Sequence, residues 1–211
     1  MFEVVDLSAR AGSEIRADRA SLIHGEYSER IQKLLVDRSA LVFRELFLTD
    51  EEQLQFAKTI GKVVPQGNDG VSKISLDPNV SDTADYVRGA FFWHIDGAND
   101  ALPAKATMLT AKVLSEEGGD ILISKTYAAS SLLLGATCLY VHDVSYEESS
   151  MLLSRLQDWA TQDQYVYRHK WKIGDFLLWD NTGTMHRADT YSPTSNRLMH
   201  RTTLHGEEPV F

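Results

Sequence analysis

Short apolar runs closed by turn residues recur along the chain, and this punctuation constrains the fold more than any other feature. Phe2–Leu7, Ala40–Phe43, Val71–Leu76, Ala106–Leu114, Asp120–Ser124, Tyr165–Trp171, Phe176–Trp179 and Leu198–Leu204 each read as a strand. They are rich in β-branched and aromatic residues and too short for helices. Gly118-Gly119 and Gly174-Asp175 supply tight turns between neighbouring runs.

Helical signals are fewer. Ser21 to Asp37 carries Leu22, Ile23, Tyr27, Ile31, Leu34 and Leu35 near helical spacing. Thr49-Asp-Glu-Glu52 and Ser145-Tyr-Glu-Glu148 are capping boxes, in which the hydroxyl accepts from the N3 amide while the Glu reaches back. The first opens a helix to Ile60, stopped at Gly61; the second opens one ending near Gln162. Asp77 to Asp85 reads as a loop. Many strands and few helices predict a mainly β fold, an antiparallel sandwich with flanking helices. No repeat, low-complexity tract or linker interrupts residues 1–211, so a single domain is expected.

A formal charge of -9 argues against nucleic acid and anionic membrane surfaces as partners. Cys138 has no cysteine to pair with, which fits a reducing cytoplasm. The opening MFEVVDLSAR lacks the basic and apolar regions of a secretory signal, and no run approaches the ~20 apolar residues of a membrane helix. The expected partner is a small molecule, and a homo-oligomer is left open.

A two-histidine, one-carboxylate triad holds a metal on one face and leaves the opposite positions open. Residues i and i+2 of an extended strand point the same way, so His-x-Asp supplies two ligands together. With 7 His and 30 acidic residues, about one such step is expected by chance. The chain has three: His24-Gly-Glu26, His94-Ile-Asp96 and His205-Gly-Glu207. His24 falls in a helix, where i and i+2 diverge, and His205 falls in the C-terminal tail. His94 follows Phe91-Phe-Trp93 and leads into Gly97, as the end of a pocket-lining strand does.

The C-terminal third supplies the remaining parts. A strand ending at Trp179-Asp-Asn181 runs into a polar loop that presents His186, and the returning strand brings Arg197 and Arg201. Two guanidiniums on one side of a strand usually face solvent. Beside Leu198 and Leu204, and soon after a candidate ligand, they read instead as an anion site.

His94-x-Asp96, Gly118-Gly-Asp120, Trp179-Asp-Asn181, His186 and Arg197-Leu-Met-His-Arg201 together resemble the TauD/TfdA family of taurine and aryloxyalkanoate dioxygenases. The resemblance runs from about Leu41 to Phe211. It implies a double-stranded β-helix, the jelly roll of clavaminate synthase-like proteins. It also implies an Fe(II)- and 2-oxoglutarate-dependent dioxygenase that uses O2 and releases succinate and CO2. Carried over by motif, His94, Asp96 and His186 are catalytic and hold the iron. Arg197 binds the far carboxylate of 2-oxoglutarate, and Arg201 holds an anionic substrate. Related halogenases have a small residue in place of the carboxylate, so Asp96 favours hydroxylation.

Three departures qualify this. Ile121 stands where the family's turn has a Thr that bonds 2-oxoglutarate, and Ser124 or a water is the expected substitute. Val63-Val-Pro-Gln-Gly-Asn-Asp-Gly70 lacks the His residues that grip sulfonate, which argues against taurine, and Phe91, Phe92 and Trp93 suggest a more apolar substrate. The interval from His94 to His186 is also several tens of residues short of the family's. Ala128 to Gly135 reads as two family segments joined directly: either the protein has lost the intervening lid or the sequence omits it, and omission, with a chain break between Tyr127 and Leu134, is the expectation, because a true deletion would leave strand edges unpaired. Two other classes compete with the oxygenase. One is a jelly-roll metal or small-molecule binding protein weakened in catalysis; the other is a zinc hydrolase, in which the two arginines have no evident task.

Overall fold

The computed structural model describes residues 1–67, 69–98, 100–126, 138 and 140–207. In chain order the strands are β1 (Phe2–Asp6), β2 (Ser13–Ala17), β3 (Ala40–Phe43), β4 (Ser72–Ile74), β5 (Ala106–Val113), β6 (Ile121–Lys125), β7 (Val166–His169), β8 (Phe176–Asp180), β9 (Thr184–Ala188) and β10 (Leu198–Leu204). The helices are α1 (Arg19–Ile23), α2 (Ser28–Arg38), α3 (Asp50–Ile60), α4 (Ala84–Val87) and α5 (Tyr146–Ala160). A seven-stranded sheet has the order β1-β2-β3-β8-β5-β10-β4, and a three-stranded sheet the order β7-β6-β9.

The large sheet is buried on both faces, which is why its central strands read as unbroken apolar runs. Leu41, Phe43, Met108, Phe176 and Leu178 face the helices and pack on Leu22, Ile31, Leu35, Phe56 and Ile60. Val42, Leu109, Ala111, Leu177, Trp179 and Met199 face the other way, against Ile121, Ile123 and Tyr167 of the small sheet. This two-sheet core, with α1, α2 and α3 on the outer face of the large sheet and α5 against β9 of the small one, is the expected jelly roll.

Both capping boxes form, at Thr49 with Glu52 and at Ser145 with Glu148. Gln53, fully buried in α3, donates to the His200 carbonyl and to Thr202 Oγ1 of β10 and accepts from Thr110 Oγ1. Through it the outer helix fixes the strand that leads from Arg197 to Arg201.

The structure corrects several boundaries. The helix expected over Ser21–Asp37 is two helices, parted where Gly25 turns with φ +80°. The loop expected over Asp77–Asp85 ends early, because residues 84–91 form α4 and a 3-10 turn. Ser13–Ala17 and Thr184–Ala188 are strands that the apolar pattern does not mark. His186 therefore sits on a strand, not in a polar loop. The expected chain break between Tyr127 and Leu134 lies outside the described residues.

Candidate active site

Two backbone pairings bring the three candidate ligands together. In β9, His186 is paired with Ile123 of β6 on one side. On the other, it forms a bridge with His94, each amide donating to the other's carbonyl at 3.0 and 2.9 Å. Asp96 follows His94 into the turn at Gly97, where φ is +64°. The ligand atoms of His94, Asp96 and His186 all lie within 4.8 Å of one another. Nε2 of His94 stands 3.7 Å from Asp96 Oδ1, and Nε2 of His186 stands 3.6 Å from Oδ2. His94 Nδ1 lies 2.8 Å from the Phe92 carbonyl, so its proton belongs on Nδ1 and Nε2 keeps a lone pair.

The carboxylate is oriented by a relay from the large sheet. Trp179 Nε1 donates to Asn181 Oδ1 at 3.0 Å, Asn181 Nδ2 to Thr107 Oγ1 at 2.8 Å, and Thr107 Oγ1 to Asp96 Oδ2 at 2.7 Å. Trp179 also packs its ring 4.7 Å from that of His186. Trp179-Asp-Asn181 is thus a support for the donors rather than part of them. Thr107 is a candidate site residue that the sequence alone does not mark; it is one of several strand threonines until the fold places its hydroxyl on Asp96.

Electrostatics leave Asp96 and His186 in ligating form. Burial alone raises the Asp96 carboxyl, but His186, Arg201, His94 and the Thr107 bond outweigh it and hold the pKa at about 2. Burial, with His94 and Arg201, pushes His186 down to about 3 against the pull of Asp96. A carboxylate and a neutral imidazole are the forms a metal requires. Two imidazoles and one carboxylate suit Fe(II) with positions left open.

The same cavity is lined by Arg197 and Arg201, and by Ile74, Val87, Phe91 and Leu109 on its apolar side. Arg197 is 3% exposed and donates to the Gly119 carbonyl at 3.0 Å, while its Nε finds no partner among the described residues. Burial lowers its pKa, opposed by Tyr191 and Asp120. The Gly118-Gly119 turn makes this seat possible. A Cβ on residue 119, where φ is +79°, would lie 2.7 Å from Arg197 Nε. Arg201 reaches to 4.0 Å from Asp96 Oδ1, and the two residues also line a second cavity, with Gln66, Asp100, Thr203 and His205.

The other candidates fall elsewhere. His24 Nδ1 bonds the Ala20 carbonyl of its own helix, and Glu207 pairs with Lys105. Of the three aromatics, Phe91 alone lines the cavity; Phe92 is exposed, and Trp93 stacks with Arg187 and packs near Ile95 and Leu156. Ile121 lines the cavity, but Ser124 donates to the Ala160 carbonyl at 2.5 Å and is not the substitute for the missing Thr.

The family model described as "Taurine catabolism dioxygenase TauD, TfdA family" matches residues 3–137 and 130–203. The chain belongs to the TauD/TfdA family. A TauD/TfdA relative from Cupriavidus pinatubonensis, an alpha-ketoglutarate-dependent 2,4-dichlorophenoxyacetate dioxygenase, is 27% identical over 248 positions, covering 82% of this chain and 86% of the relative. A (S)-phenoxypropionate/alpha-ketoglutarate-dioxygenase from Sphingobium herbicidovorans is 21% identical, covering 98% of this chain and 96% of its own. The crystal structure of AAD-2 in complex with Mn(II) and N-oxalylglycine superposes with a TM-score of 0.88 at 23% identity, covering 100% of this chain and 99% of that one. A taurine dioxygenase from Burkholderia xenovorans does so at 0.76 and 23%, over 99% and 90%. This TauD/TfdA chain is accordingly an alpha-ketoglutarate-dependent dioxygenase that takes Fe(II), 2-oxoglutarate and O2 and acts on a small molecule. Its alignment with the Cupriavidus enzyme spans more positions than it contributes residues, so that relative carries residues absent here.

Proposed function

We propose that residues 1–211 form one dioxygenase domain in which His94, Asp96 and His186 hold Fe(II), Arg197 receives the far carboxylate of 2-oxoglutarate, and Arg201 receives an acidic group on the substrate. The observation that carries this reading is one cavity lined by the three donors, both guanidiniums and an apolar wall. When bound, the iron supplies the oxidation that couples decarboxylation of 2-oxoglutarate to hydroxylation of a substrate C–H bond.

The protein's part is placement. The Trp179–Asn181–Thr107 relay turns Asp96 toward the two imidazoles. Arg197, clamped by Gly119, offers a fixed cation to a carboxylate. Val87 and Phe91 keep water from the reacting carbon. An acid with an apolar body fits Arg201 and this wall together, so the substrate class we favour is an aryloxyalkanoate or similar carboxylic acid. The single cysteine and acidic charge support a cytoplasmic setting.

The test is succinate release with Fe(II), 2-oxoglutarate, air and a panel of aryloxyalkanoates, alkyl sulfates and taurine. Aryloxyalkanoates should stimulate it and taurine should not. Stimulation by taurine alone would overturn the substrate class. The family match breaks into two stretches meeting at residues 130–137, which supports a covering segment being absent from this sequence. An intact mass above 23.7 kDa for the natural protein is then expected, and a mass at that value would refute the omission.

One observation favours a weaker catalyst. Ile121 offers no hydrogen bond to the co-substrate, and Ser124 does not replace it.

A further inference from the structure

Burial at the Arg197 seat demands more than one cation. A carboxylate brought out of water keeps lone pairs that a single guanidinium does not satisfy, and a buried unpaired acceptor weakens binding. Ile121 supplies nothing, and Ser124 is committed to Ala160. Trp179 lines the same cavity, but its N–H is spent on Asn181.

We propose that the hydroxyl of Tyr191 donates the second hydrogen bond to the far carboxylate of 2-oxoglutarate, in place of the bond that Ile121 cannot make. The proposal rests on the Arg197 reading given above.

Among the described residues lining the cavity, Tyr191 carries the sole hydroxyl. Tyr191 is 8% exposed, and its hydroxyl oxygen is fully buried beside the Arg197 guanidinium, which can only donate to it, so the hydroxyl proton has no acceptor among the described residues. A phenol proton left unpaired in a folded interior calls for an explanation, and a ligand that arrives later is one. Its ring faces the Arg197 guanidinium, with the central carbon 4.7 Å from the ring centroid. Its other neighbour is Phe91, edge-on at 5.5 Å and 88°. Held between these two, the ring has little rotational freedom to lose on binding. Burial raises the Tyr191 pKa, with Arg197 opposing, so the group remains a donor at neutral pH. Tyr191 and Arg197 thus present a hydroxyl and a guanidinium from adjoining positions on one wall.

The test measures binding, not turnover. Wild type, Tyr191→Phe, Arg197→Lys and Tyr191→Phe/Ile121→Thr are loaded with Mn(II) and titrated calorimetrically with 2-oxoglutarate and, separately, with oxalate. Oxalate chelates a metal but has no far carboxylate. Phe keeps the ring packing against Arg197 and Phe91. Tyr191→Phe should bind 2-oxoglutarate about ten- to a hundredfold more weakly, the worth of one charge-assisted bond. Its Mn(II) and oxalate affinities should match wild type, and Ile121→Thr should recover most of the loss. Unchanged 2-oxoglutarate binding by Tyr191→Phe, with Arg197→Lys weakened, would overturn the Tyr191 role and leave the Arg197 seat standing. Unchanged binding by both variants would overturn the seat and the proposal with it. Equal weakening of oxalate and 2-oxoglutarate would show a general effect on the metal centre and also overturn it.

Discussion

His94 and His186 exchange both of their backbone hydrogen bonds, at 3.0 and 2.9 Å, and their imidazoles lie 4.2 Å apart as a result. The pair is made by the main chain, so it does not need the side chains. His94→Ala should therefore lose metal while keeping the fold. The lost Nδ1–Phe92 bond is worth about 1 kcal/mol, or about 2–4 °C in melting temperature. Thermal unfolding and Mn(II) titration of the variant check both parts. A collapse of the fold would mean that the imidazole, not the strand pairing, organises the site.

Thr107→Val keeps shape and removes the donor to Asp96. Metal affinity should fall about 10–100-fold, as when a group supporting a ligand is lost. Asn181 Nδ2 also loses its acceptor, so a modest drop in stability accompanies it. Metal binding equal to wild type would remove Thr107 from the site.

Gly119→Ala places a methyl group against Arg197 Nε and strains a backbone at φ +79°. The guanidinium must shift from its seat. The affinity for 2-oxoglutarate should fall at least about tenfold while that for Mn(II) stays within error, since a displaced charged partner costs on the order of 2 kcal/mol. Calorimetric titration with each would show the split, and a parallel loss of both would point to general unfolding instead.

The sequence and the structure agree where one principle acts alone. The capping boxes at Thr49 and Ser145 are local, and both form as read. His-x-Asp, the distal His and the arginine pair are legible because ligand chemistry restricts residue type and spacing. What escaped depends on tertiary neighbours. Thr184-Met-His-Arg-Ala188 is too polar to announce a strand, yet β6 on one side and His94 on the other make it one. Gly25 interrupts a pattern whose apolar spacing continues through it. Thr107 and Tyr191 carry no local signal, because their partners come from distant strands and from a bound ligand. Ser124 was a reasonable substitute by position, but the pleat turns it away from the cavity toward Ala160.

His169 gives a pH dependence separate from the active site. It is fully buried, with Tyr167 Oη 3.1 Å from Nδ1 and Asp175 Oδ2 3.4 Å from Nε2. Burial lowers its pKa despite Asp175, so the folded protein resists a proton that the unfolded chain accepts near its ordinary pKa of about 6.5. The stability this group contributes is present above that value and is lost as pH falls below it, by at most about 1.4 kcal/mol per pH unit. Thermal unfolding between about pH 7.5 and about pH 5.5, a span that brackets the histidine titration, should show this decline in wild type. It should be shallower in His169→Gln, and identical slopes would exclude His169 as its source.

The most direct test of the account is succinate formed when air is admitted to anaerobic protein loaded with Fe(II) and 2-oxoglutarate in the presence of an aryloxyalkanoate. Wild type should convert 2-oxoglutarate to succinate with matching hydroxylation of the acid, and Asp96→Ala and His186→Ala should each bring succinate to the level without protein. Succinate formation that survives either substitution would contradict the assignment of His94, Asp96 and His186 as the iron site.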